Sequence, residues 1–120
     1  MNISKINNIN FGIKFSDKAE NLFQKSQDYV ADLHDDILVI RNNLNREIIE
    51  NALSDDFFLD VQQQNAKVNK NTFIFSIKHK NFNMCKFRKT TTEDNVLNGN
   101  IWNTIAEKLI KKIETTKNFR

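Results

Sequence analysis

The sequence predicts an α+β domain: an N-terminal helical half, a three-stranded antiparallel β-meander, and a C-terminal helix packed on one sheet face. Three observations lead there. Apolar residues recur at helical spacing between Ala19 and Ala52. Over residues 57–91 they alternate in short runs, and from Ile101 to Ile113 a second helical stripe appears. The periods 3.6 and 2 separate helix from strand, and helices over one face of such a sheet give a layered core.

The 120 residues and ten Phe suffice for one core but not two, so residues 1–120 read as a single domain. Ile9, Phe11, Ile13 and Phe15 alternate with Asn10, Gly12 and Lys14, which predicts an extended arm or short strand over residues 1–15. Residues 16–53 read as helical. Ser16 and Asp17 offer caps, and Glu20 stands three residues after Asp17 as in a capping box. The stripe runs Ala19, Leu22, Phe23, Ser26, Val30, Leu33 and continues in phase through Ile37, Ile40, Leu44, Ile48 and Ala52. One unbroken helix there would be about 55 Å long, against a radius of gyration of about 14 Å for a compact chain of this size. The favoured reading is a break at His34–Asp36, giving a helix pair; the other is one long helix that protrudes towards a partner.

In the sheet region, Phe57, Leu59 and Val61 point inward on a first strand. Gln62–Asn71 is polar and reads as a loop whose first residues extend that strand. Thr72–His79 is the clearest strand, with Phe73, Phe75 and Ile77 inward. Lys80–Asn83 turns the chain. Cys85 and Phe87 carry the inward face of a third strand ending near Thr91, with a bulge near Met84. The last helix is expected over 95–117, starting near Gly99 and anchored to the sheet by Trp102. Lys111, Lys112 and Lys117 suit its negative end.

Charge is unevenly spread. Residues 1–61 carry a net −5, residues 62–92 a net +7 with no acid at all, and residues 93–120 a net +1. The candidate anion- or nucleic-acid-binding set is therefore Lys67, Lys70, Lys78, Lys80, Lys86, Arg88 and Lys89, with Lys78, Lys86 and Arg88 expected on the outer sheet face. Lys outnumbers Arg by 14 to 4, and Asn and Ile are abundant, the pattern of an AT-rich coding sequence. Phosphate grips favour Arg, so the lysine count by itself argues only weakly for anions.

The order helix, three strands, helix over roughly residues 36–117 resembles that of the double-stranded-RNA-binding domain. The resemblance implies a lysine cluster at the start of the last helix, yet residues 94–104 hold no Lys or Arg. The small-residue pattern that precedes that helix is missing too. A sheet-face RNA reader of the RRM type needs exposed aromatics, whereas the outward set of the central strand is Thr72, Ile74, Ser76 and Lys78.

Catalytic chemistry finds little to work with. His34-Asp35-Asp36 is the one tight cluster with metal or acid–base character, but successive helical residues do not converge, and a hinge or cap explains them better. His79 and Cys85, both expected inward, would need an open cleft and an orienting third group to form a nucleophile pair. Two glycines make no phosphate loop, and Asp55, Asp56 and Asp60 lack EF-hand spacing. A single cysteine excludes an internal disulfide or a cysteine zinc site. The longest apolar run, Ile37–Ile40, is far short of a bilayer span, and the N-terminus lacks a secretory leader. The expectation is a cytoplasmic, non-catalytic interaction module without cofactor, metal or membrane contact. It would bind a protein partner or itself through acidic helical and basic sheet surfaces. Nucleic-acid binding on the sheet's outer face is the alternative.

Overall fold

The computed structural model describes residues 14–64 and 71–118, with side chains as far as Lys111. Four helices and three strands follow in the order α1 (Asp17–Asp32), α2 (Asp36–Ala52), β1 (Phe57–Gln64), β2 (Thr72–His79), β3 (Cys85–Thr92), α3 (Glu93–Leu97) and α4 (Asn100–Asn118). The sheet is an antiparallel meander, β1-β2-β3.

Ser16 is the cap of α1, its hydroxyl accepting the Ala19 amide at 3.2 Å. Asp17 is thus the first helical residue, an acid at the positive end of the dipole. Glu20 does not close a capping box; its carboxylate takes the Arg46 guanidinium in two bonds of 2.5 and 2.6 Å.

The helical stretch breaks where expected. His34 adopts a left-handed backbone, φ 58°. Its amide bonds to Ala31 O at 2.9 Å, and that of Asp35 to Val30 O at 3.0 Å, the Schellman arrangement. Asp35 then caps α2 by accepting the Leu38 amide at 3.1 Å. A helix pair results, and the His34-Asp35-Asp36 cluster is its punctuation.

The apolar stripe fares differently on the two helices. On α1, Ala19, Phe23, Ser26 and Val30 are buried, while Leu33 is 58% exposed. On α2 the buried residues are Asn42, Asn45 and Ile49, while Ile37, Ile40 and Leu44 are 78%, 58% and 55% exposed. The cause is polar docking. Gln27 of α1 donates to Val39 O at 3.3 Å and to Asn43 Oδ1 at 3.0 Å, and accepts from Asn42 Nδ2 at 3.0 Å. Arg41 reaches Asn98 O at 3.3 Å. Arg46, paired with Glu20 and Glu50, lies over the rings of Phe15 (4.6 Å) and Phe23 (4.9 Å). The Glu20 hydrogen bond outweighs desolvation, and with the charge of both carboxylates it raises the guanidinium pKa above its ordinary value.

Leu59, Val61, Phe73, Phe75 and Ile77 are buried on one sheet face, as the alternation requires. The bulge lies two residues beyond Met84. Ile77 pairs with Phe87, but Lys78 pairs with Cys85, which leaves Lys86 as the extra residue. Cys85 is therefore carried to the outward phase and is exposed, not inward. Phe15 forms a parallel bridge to Leu59, with Leu59 N–H to Lys14 O at 2.7 Å and Ser16 N–H to Leu59 O at 2.8 Å. That bridge is the described end of the expected arm; Ile9, Phe11 and Ile13 lie outside the described residues.

The expected single C-terminal helix is two. Thr92 caps the short α3 through the Asn95 amide, and Gly99, at φ 85°, separates α3 from α4. A Cβ on Gly99 would sit 2.1 Å from Asn42 Oδ1, so the glycine also lets α2 approach. Beyond it, Trp102 is fully buried, with the rings of Phe75, Phe23 and Phe15 at 5.3, 5.4 and 6.1 Å. Its Nε1 donates to Ser26 Oγ at 3.1 Å, and that hydroxyl bonds onward to Val96 O.

Two stability outcomes follow from these contacts. Ser26→Ala strands the indole N–H in the core and should lower unfolding free energy by about 1–3 kcal/mol, read from urea midpoints. His34→Gly removes the left-handed penalty at the Schellman position and should raise it by about 0.5–1 kcal/mol in the same assay.

Candidate interaction surfaces

Strand alternation and the β-bulge together divide the basic block between the two sides of the sheet. Arg88 pairs with Ser76 and lies on the outer face, in phase with Lys78. Lys78 is not a free cation, because its Nζ is 2.9 Å from Asp60 Oδ2. Burial pushes the Asp60 carboxyl up, but hydrogen bonds from Lys78, the Ser16 hydroxyl and the Val61 amide prevail, so its pKa lies below the ordinary value of 3.8. Lys86, freed by the bulge, sits 4.4 Å over the Phe57 ring, which shares the phase of Leu59 and Val61. It therefore departs from the outer-face position expected of it. Lys89 pairs with Phe75, on the helix side, and lines a cleft of about 360 Å³ with Thr91, Asn95 and Asn103. Lys80 is half-buried, its amide bonded to Asp56 O at 2.8 Å. Lys67 and Lys70 lie outside the described residues. Among the described residues no single strip unites the set.

The β2–β3 turn forms an aromatic tip. His79 Nδ1 accepts the amides of Asn81 and Phe82 at 3.0 and 3.1 Å, which fixes the turn. Its ring lies 4.9 Å from that of Phe57 and 4.7 Å from that of Phe82. Phe82 is 66% exposed and Met84 is exposed beside it, with Lys86 and Arg88 exposed on the following strand. His79 is thus a turn-former, and Cys85 Sγ donates to Phe87 O at 3.2 Å, so the two do not make a nucleophile pair. Among the described residues no group of three His, Cys, Asp or Glu side chains is placed to hold a metal ion. A second cleft, about 580 Å³ between α1 and the sheet, is lined by Lys18, Lys25, Leu22, Val61 and Phe73, with no histidine or carboxylate among its described lining residues.

The other surface is the outward ridge of α2. Ile37, Ile40 and Leu44 follow Tyr29 and Leu33, and all five are exposed. Asp36 and Glu47 are exposed along one flank, and Asp28 and Asp32 on the preceding helix. Between Ser26 and Glu47 the cations are Arg41 and Arg46, both half-buried and hydrogen-bonded. The helical spacing of this stripe is plain in the sequence, but its outward face is not. The signal for that face is the second stripe, Asn42–Asn45–Ile49, buried beneath the ridge, with the Asn42 amide donating to Gln27 of α1.

No protein-family profile, curated protein or solved structure matches the chain. The likeness to the double-stranded-RNA-binding domain is therefore one of element order, without a matching structure behind it. Among the described residues no helix is long and apolar enough to cross a membrane.

The Asp60–Lys78 pair gives a pH signature. A carboxylate with a depressed folded pKa adds stability that is complete above its unfolded value, near 3.8, and is lost as pH falls through the folded value. Thermal melts at descending pH should show wild type more stable than Asp60→Asn at pH 6. The gap should close as pH falls below 3.8 and through the lowered folded value.

Proposed function

We propose that this chain is a small, non-catalytic protein-interaction module that associates with itself, its acidic helical surface meeting its basic strand region. The observation that carries the reading is the exposed ridge Ile37–Ile40–Leu44. Single exposed apolar side chains are ordinary on protein surfaces. A contiguous row on a helix whose buried face is largely polar is not, and it marks a surface that another protein covers. The net −5 of residues 1–61 against the +7 of residues 62–92 supports a partner of opposite charge. Nucleic-acid binding draws support from the exposed Arg88 and Lys89. They leave opposite sides of the sheet, and Lys78 is neutralised by Asp60, which favours the protein reading.

Sedimentation at low and high salt tests it. Wild type should associate at low salt and weaken as salt screens the charged rim. Ile37→Ser with Ile40→Ser should reduce association at least about tenfold. A strict monomer at high concentration under both conditions would discard self-association. Retention on RNA or DNA that disappears in Lys78→Ala/Lys86→Ala/Arg88→Ala would favour the other reading.

A further inference from the structure

Resting on that reading, we infer that the occupant of the α2 ridge is the β2–β3 tip of a second copy, so that the contact is heterologous. The two surfaces both expose apolar side chains and are opposite in charge. The ridge is a row of aliphatic side chains, Leu33, Ile37, Ile40 and Leu44, flanked by exposed Asp32, Asp36 and Glu47. The tip offers exposed Phe82 and Met84, with exposed Lys86 and Arg88 on the strand that leaves it. Asp55, paired with Lys14 at 3.2 Å, and Asp56 stand at the base of the tip.

Ridge against ridge, the other simple pairing, brings acid flanks together with no exposed Lys or Arg from Ser26 to Glu47 to offset them. Tip against ridge sets acid beside base and lays an aromatic ring, with its large apolar area, against aliphatic side chains. The tip cannot serve its own ridge. Lys80 N–H is bonded to Asp56 O, which ties the tip to the chain leaving the C-terminal end of α2. The ridge occupies the N-terminal part of that helix, and Leu44 alone is about 12 Å from Ala52 along the axis. Two different patches on one chain give either a reciprocal pair or a head-to-tail series.

The two ends can be disabled separately, because Phe82 and Ile40 are both well exposed and their replacement leaves the core intact. Ile40→Ser/Leu44→Ser removes the ridge and keeps the tip; Phe82→Ser/Met84→Ser does the reverse. In sedimentation at low salt, wild type should associate, and each variant alone should run as a monomer, at least about tenfold weaker. An equimolar mixture of the two should contain a 1:1 heterodimer and nothing larger, since one intact tip then meets one intact ridge. If the tip variant associates as strongly as wild type while the ridge variant does not, the ridge pairs with itself. That result overturns the heterologous contact and leaves self-association standing. A monomeric wild type overturns both.

Discussion

The hydrogen bond from Trp102 Nε1 to Ser26 Oγ, inside a shell of Phe15, Phe23 and Phe75, ties together segments from four parts of the chain. An indole N–H in an apolar core must find an acceptor, and here only a side chain on α1 supplies it. The same hydroxyl bonds Val96 O, so α1, α3 and α4 are fixed in one arrangement above the sheet. The remaining elements are placed relative to that joint: the sheet through Phe75, and the N-terminal bridge through Phe15.

α2 is held differently. Beside Ile49 in the apolar core, it is held by amides and guanidiniums: Gln27 of α1 with Asn42 and Asn43, Arg41 with Asn98 O at the end of α3, Arg46 with Glu20 of α1. Arg46 also stacks on the two phenylalanines that pack against Trp102, linking the polar clamp to the apolar joint. Directional bonds of this kind fix the rotation of a helix about its axis more sharply than apolar area does. The rotation they select turns Ile37, Ile40 and Leu44 to the surface. The clamp and the ridge are two sides of one helix orientation, and the proposed interaction surface follows from the bonds beneath it.

A single inserted residue has a comparable effect on the basic region. With Lys86 extra, the register of β3 shifts at the end of the sheet, Cys85 turns outward and Lys86 comes to rest over Phe57. Cations that are neighbours in sequence part to different sides. What gathers at the turn instead is aromatic and sulfur surface bordered by charge, steadied by His79 accepting two backbone amides. This is the surface of the proposed protein contact; a phosphate backbone asks for a continuous row of free cations.

Local rules in the sequence determined much of this: the element types, the break at His34, the meander, and the inward set Phe73, Phe75 and Ile77. Periodicity and capping act over a few residues, so they can be read without knowing what packs where. The tertiary structure decided the rest. Which face of α2 is buried depends on Gln27 and Glu20, which lie 15 or more residues away from their partners Asn42 and Arg46. The bulge at Lys86 depends on how β3 closes against β2, and the split at Gly99 on how near Asn42 approaches. Each is a long-range contact that outweighs a local preference, and pattern alone carries no record of it.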